Sequence, residues 1–143
     1  MGATVNAYWP GATEEQLVSG PSFFNDCKAW GNWMAEREGV PAVADALRRL
    51  GAEALLSYKT EGMEDEDVDW VSPWQLREAA LRLREAVRAG AHETAVILET
   101  YARSSNGIYP VAEEFVQDLD DIAATAEWAE REGAKVLTLE VNW

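Results

Sequence analysis

Lys135-Val136-Leu137-Thr138-Leu139-Glu140-Val141-Asn142-Trp143 is the stretch whose alternation decides the fold class. Leu137, Leu139, Val141 and Trp143 fall on one side, and Thr138, Glu140 and Asn142 on the other. That is the period of two required of a strand buried on one face. Ala3–Trp9 repeats the pattern, with Val5, Ala7 and Trp9 opposed to Thr4, Asn6 and Tyr8, and Pro10-Gly11 ends it. A third strand is expected over 54–59, carried by Leu55, Leu56 and Tyr58.

Helical signals fill the space between these strands. Thr13-Glu14-Glu15-Gln16 has capping-box spacing. Ser22 can cap a helix running to Glu38, with Phe23, Cys27, Trp30 and Met34 as its apolar stripe. Pro41 suits the first turn of a helix reaching Leu50, which Gly51 stops. The strongest local signal is Val71-Ser72-Pro73-Trp74-Gln75. There Ser72 is the cap, Pro73 takes the first helical position and Gln75 completes the box. That helix is predicted to run to Ala89, burying Leu76, Ala80, Leu83 and Val87. His92–Ala102 reads as a helix, with a strand as the alternative for the run carrying Val96, Leu98 and Tyr101, and Ser104–Gly107 reads as a turn. Val111–Glu132 reads as a long helix keeping Phe115, Leu119, Ile122, Ala126 and Ala129 on one face. Ala35-Glu36-Arg37-Glu38-Gly39 and Ala129-Glu130-Arg131-Glu132-Gly133 repeat five residues, an echo that chance produces in helix-ending sequence.

Strands near both ends with about five helices between them predict an α+β fold. The expectation is a single domain over 1–143. It has a short three- to four-stranded sheet, with strands near 3–9, 54–59 and 135–143, covered by helices. A chain of 143 residues fits one domain and is long enough for a self-sufficient core. Apolar residues at 48% and charged residues at 27% are globular, not disordered, proportions. One cysteine, Cys27, excludes an internal disulfide and a cysteine-rich zinc site.

Charge narrows the function classes. Twelve basic against 26 acidic residues give a net charge of −14. A phosphate backbone or an anionic membrane would repel such a chain, so neither is an expected partner. No apolar run approaches the roughly 18–20 residues of a membrane span, and Met1–Gly11 shows no basic-then-apolar signal pattern. A cytoplasmic setting is the resulting expectation.

Most chemical motifs fail on inspection. Asp65, Asp67 and Asp69 open like a calcium loop, but the sixth position is Trp70 and the twelfth is Leu76, where Gly and Glu are needed. His92 is the only histidine, which removes multi-histidine metal sites. Cys27 sits on an apolar stripe, where a thiol is an inert hydrophobe. The ten glycines are scattered as stops and turns, not gathered in a phosphate loop. Neither a cofactor nor a metal is expected.

Two acidic clusters and an unusual number of tryptophans remain. Glu61, Glu64, Asp65, Glu66, Asp67 and Asp69 crowd nine positions, followed by Trp70 and Trp74. Glu114, Asp118 and Asp121 are spaced i, i+4, i+7, which lines them along one helix face. Carboxylates rimming aromatic anchors are a common composition for a protein-binding surface. The reading is an acidic protein that binds a basic partner through these residues, as an inhibitor or immunity-type antagonist of a nucleic-acid-processing toxin or enzyme. Alternatives are a Trp/Tyr-lined small-molecule or enzyme pocket using Arg84 or Arg88, and a homodimeric structural protein. Arg77, Arg82, Arg84 and Arg88 hold four of the twelve basic residues, and pairing with the acidic clusters is their simplest use.

Overall fold

The computed structural model describes residues 4–23, 29–105 and 111–142. Among them run four strands, β1 (Thr4–Tyr8), β2 (Ser22–Phe23), β3 (Tyr58–Thr60) and β4 (Thr138–Asn142). Six α-helices join them: α1 (Glu14–Ser19), α2 (Ala29–Glu36), α3 (Pro41–Arg49), α4 (Pro73–Arg88), α5 (Thr94–Ser105) and α6 (Val111–Arg131). The α+β class follows directly.

The sheet order is β2-β1-β4-β3. β1 and β4 pair antiparallel along their full length, with Val5 opposite Val141 and Ala7 opposite Leu139. β3 runs parallel to β4 on its other side. The inner face carries Val5, Ala7, Leu139 and Val141, all buried in one core with residues of the helices. Asn6, Tyr8, Lys59 and Glu140 are half-buried on the outer face. The alternation that predicts the two terminal strands therefore also decides which face the helices cover.

Helix ends follow their side chains. Thr13 Oγ1 accepts from Gln16 N at 3.1 Å, and Gln16 Oε1 accepts from Thr13 N at 3.0 Å. Ser72 and Gln75 make the same reciprocal pair at 3.1 and 2.8 Å. Each box satisfies two amides that a helix start leaves without partners. α4 and α6 pack antiparallel, since Arg77 reaches Glu127 at 2.7 Å and Arg84 reaches Asp120 at 2.8 Å.

Three expectations are corrected. The strand at 54–59 is a 3-10 turn over Glu53–Leu56 followed by the short β3. Glu53-Ala54-Leu55-Leu56 contains no β-branched residue, and Ala52 and Leu55 bury themselves at helical spacing. Ser22 and Phe23, expected to open a helix, form β2, and the described part of that helix is α2 over Ala29–Glu36. Ser22 and Phe23 pair with Asn6 and Val5. The open edge of β1 thus takes residues that local spacing assigns to a helix. Cys27 lies outside the described residues. Of the predicted turn at Ser104–Gly107, Ser104 and Ser105 belong to α5, and the rest also lies outside the description. The five-residue echo splits as well: Arg37 is completely buried, whereas Arg131 is exposed.

Gly20 marks a close approach. A Cβ at this position would stand 2.4 Å from the ring of Trp128, which itself packs edge-on against Trp9 at 5.5 Å. Gly20→Ala is expected to lower stability by about 1–3 kcal/mol through overpacking. Urea unfolding measures this, and an unchanged midpoint would show that Trp128 moves aside freely.

Candidate functional site

The acidic loop begins where β3 ends. Gly62 takes a φ of 92° and lets the chain turn, with Met63 N donating to Thr60 O at 3.1 Å. A 3-10 turn over Asp65–Asp67 follows, and Val68 is buried as its apolar plug. The far end is tied by paired backbone bonds between Val71 and Leu137, at 3.1 and 2.7 Å.

Side chains fix the middle of the loop to the outer face of the sheet. The Tyr8 hydroxyl donates to Asp65 Oδ1 at 3.0 Å, and Trp70 Nε1 donates to Asp65 O at 3.2 Å. The Tyr8 and Trp70 rings stack at 6.0 Å. Lys59 Nζ lies 5.4 Å from the Tyr8 ring and also donates to Met63 O. Ser57 Oγ donates to Asp69 O and sits 2.8 Å from Thr138 Oγ1. Burial raises the Tyr8 pKa, and the Asp65 hydrogen bond and the charges of Asp65 and Glu140 raise it further. The hydroxyl therefore stays a donor at neutral pH.

This scaffold leaves Glu61, Glu64, Asp65, Glu66, Asp67 and Asp69 exposed. Trp70 is half-buried against Tyr8. Trp74, on the first turn of α4, is 61% exposed. It borders a hollow of about 200 Å³ shared with Gly51, Glu53, Ala54, Gln75, Glu78 and Arg82. Trp70 and Trp74 thus have different roles: one anchors the loop from beneath, and the other faces solvent.

The second acidic row is arranged differently. Asp118 is only 2% exposed and accepts a hydrogen bond from the Tyr101 hydroxyl of α5. Glu114 and Asp121 are half-buried on either side of it. Asp121 accepts from Gln117 Nε2 at 3.2 Å. Burial pushes the Asp121 pKa up against that bond, with Asp120 adding to the rise. The row Glu114–Asp118–Asp121 is therefore not a solvated face, because its central carboxyl lies in the core beneath α5. It also lies apart from the loop. Val87 and Arg88 of α4 meet Ala112, Glu113 and Val116 of α6, whereas the loop leads into the opposite end of α4. Sixteen residues of helix, about 24 Å, separate these ends.

The arginines of α4 divide in use. Arg84 pairs with Asp120 and Glu85, and Arg88 pairs with Glu85 at 3.5 Å. These are the two arginines named for the alternative Trp/Tyr-lined pocket. Arg82 has no carboxylate within 4.0 Å among the described residues. Its Nη1 would lie 3.0 Å from a Cβ placed on Gly51. His92 is exposed, 3.4 Å from Glu93. Among the described residues no three His, Cys, Asp or Glu side chains converge to hold a metal, and no helix is long and apolar enough to cross a membrane.

Sequence reasoning missed Arg37 and the Tyr101–Asp118 pair. Arg37 Nη2 donates to Leu56 O at 2.9 Å, and its guanidinium lies 4.7 Å from the Tyr58 ring and 5.6 Å from the Trp33 ring. Its text, Glu36-Arg37-Glu38, reads as a solvated helix end. Asp118 could have been found, since it lies one residue before Leu119 and three after Phe115, close to the apolar stripe. Comparison with protein-family models, curated proteins and solved structures finds no match to this chain.

Burial is the main cause that raises the Asp118 pKa, to about 8. Glu114 and Asp121 add to the rise, and the Tyr101 hydrogen bond opposes it. The unfolded carboxyl titrates near 3.8, so between these values the folded chain holds a proton that the unfolded chain releases. The stabilisation is complete below pH about 4 and is lost as pH rises to about 8. Asp118→Asn keeps an acceptor for Tyr101 and cannot ionise. The variant is expected to gain stability over wild type by on the order of 1 kcal/mol per pH unit across that window. Thermal unfolding from pH 5 to 9 measures the difference. Parallel curves for the two proteins would show that Asp118 ionises freely in the folded state.

Proposed function

We propose that this chain is an acidic protein-binding protein, an inhibitor or immunity-type antagonist that covers the basic cleft of a partner such as a nucleic-acid-processing toxin or enzyme. The observation that carries the reading is the loop over 61–69. Its acidic residues are exposed while the loop is held by Tyr8 on the Asp65 carboxylate, by Trp70 and Ser57 on the Asp65 and Asp69 carbonyls, and by the Val71–Leu137 backbone pair. A preordered rim of negative charge loses little conformational freedom on docking and steers a cationic surface toward it. In this reading Glu61, Glu64, Asp65, Glu66, Asp67 and Asp69 stand in for phosphates, and Trp74 is the apolar anchor beside them. Glu114 and Asp121 are peripheral, and Asp118, being buried, takes no part. The setting in this reading is the cytoplasm, where a lone thiol such as Cys27 stays reduced.

The test compares three immobilised proteins in lysate of the source cells. They are wild type, Trp74→Ala, and Glu64→Lys/Glu66→Lys/Asp67→Lys, all with circular dichroism matching wild type. Asp65 is left intact because it holds Tyr8. Wild type is expected to retain a basic protein in stoichiometric amount and to release it as salt rises. Each variant is expected to weaken retention by about tenfold or more. A basic protein held equally by all three, or none held at any salt, would overturn the proposal.

A further inference from the structure

We infer that the hollow beside Trp74 is a slot for a single arginine side chain of the partner. The inference rests on the docking reading above and names its anchor. The hollow is formed by the first three turns of α4 against the turn at Gly51–Ala54. Its features match the parts of an arginine. Trp74 is largely exposed where it lines the hollow, and an indole quadrupole attracts a cation laid on its face. Glu53 and Glu78 line the same hollow and supply carboxylates for a forked donor. Glu78 has only a long contact to Arg77, at 3.7 Å, and Glu53 has no ion pair among the described residues. Gln75 adds a neutral amide to the wall.

Arg82 is the one cation lining the hollow among the described residues, and its guanidinium lies along the wall at Gly51. Two carboxylates against one guanidinium leave the lining net negative, so one further cation is attracted and a second is not. A planar guanidinium stacks on indole and bonds two carboxylate groups at once, which a compact, strongly hydrated ammonium does less well. Arginine is therefore favoured over lysine. An anionic or neutral side chain has no complement here.

The experiment uses the full chain and the capped peptide Gly-Gly-Arg-Gly-Gly, with lysine and citrulline counterparts. The readout is the indole N–H resonance of Trp74, assigned by its loss in Trp74→Phe. The arginine peptide is expected to shift that resonance saturably. The lysine peptide should bind about threefold more weakly, and the uncharged citrulline peptide should not shift it. Glu53→Gln/Glu78→Gln should weaken the arginine peptide by about fivefold while leaving the resonance of the free protein in place. Citrulline binding as well as arginine, or no movement of Trp74 at millimolar peptide, would overturn the slot. If that happens while a basic protein is still lost from Trp74→Ala, the docking reading survives without this anchor. If the peptide binds but no basic protein is retained, the slot stands and the docking reading falls.

Discussion

The pairing of β1 with β4 is the constraint on which the other elements depend. Five residues from one end of the sequence lie against five from the other, with Val5 on Val141 and Ala7 on Leu139. This closes a loop of nearly the whole chain, which is entropically costly and becomes favourable only when much apolar surface is buried with it. The inner residues of both strands are accordingly in the core with all the long helices. β3 adds to the free side of β4, and Val71 bonds to Leu137 just before β4 starts. The acidic loop spans between these two attachments, so its shape is a consequence of the terminal pairing.

Within the core, polar groups are handled locally. Trp30, Trp33, Tyr101 and Phe115 pack with ring centroids 4.5–5.6 Å apart, mostly tilted or edge-on. Asp118 enters this apolar region as an acid whose carboxyl is favoured in its protonated form. Arg37 enters it through the Leu56 carbonyl and two aromatic faces. A charged group in such surroundings is costly unless it is bonded or neutralised, and the two residues represent the two solutions. Neither lies at the acidic loop, so the interior electrostatics and the surface electrostatics of this protein are separate problems.

What could be read in the sequence was what depends on local periodicity and capping. The alternation at both ends, the boxes at Thr13 and Ser72, and the stripe of α6 each state their structure within a few residues, and each matches. The failures share one cause. Ser22 and Phe23 join a strand because β1 presents an edge, and Leu55 and Leu56 turn in a 3-10 arc because the core lies beneath them. Both outcomes are tertiary. The acidic row on α6 failed similarly: its spacing was right, but which way the face points depends on α5, and Tyr101 meets Asp118 there. Of the candidate site, the loop carboxylates and Trp74 were legible as exposed polar and aromatic text. The partner on which Trp70 packs was not, because Tyr8 lies far away in sequence.

The distribution of countercharge bears on what the loop is for. With only twelve basic residues against 26 acidic ones, the fold must choose where to place cations. Arg77, Arg84 and Arg88 are all committed along α4, where Glu127, Asp120 and Glu85 meet them. The loop over 61–69 receives none of these. Its nearest cation, Lys59, turns to the Met63 carbonyl and the Tyr8 ring instead of to a carboxylate. Repulsion among exposed carboxylates in water is modest and falls further with salt, so the fold tolerates the cluster without needing it. Among the described residues, Asp65 alone of the six has a side-chain bond to another part of the molecule. The other five add negative charge to a loop tied at several points and make no side-chain bond among the described residues. That asymmetry, structure spent on holding the loop still and none on neutralising it, is what favours an external cation as its complement.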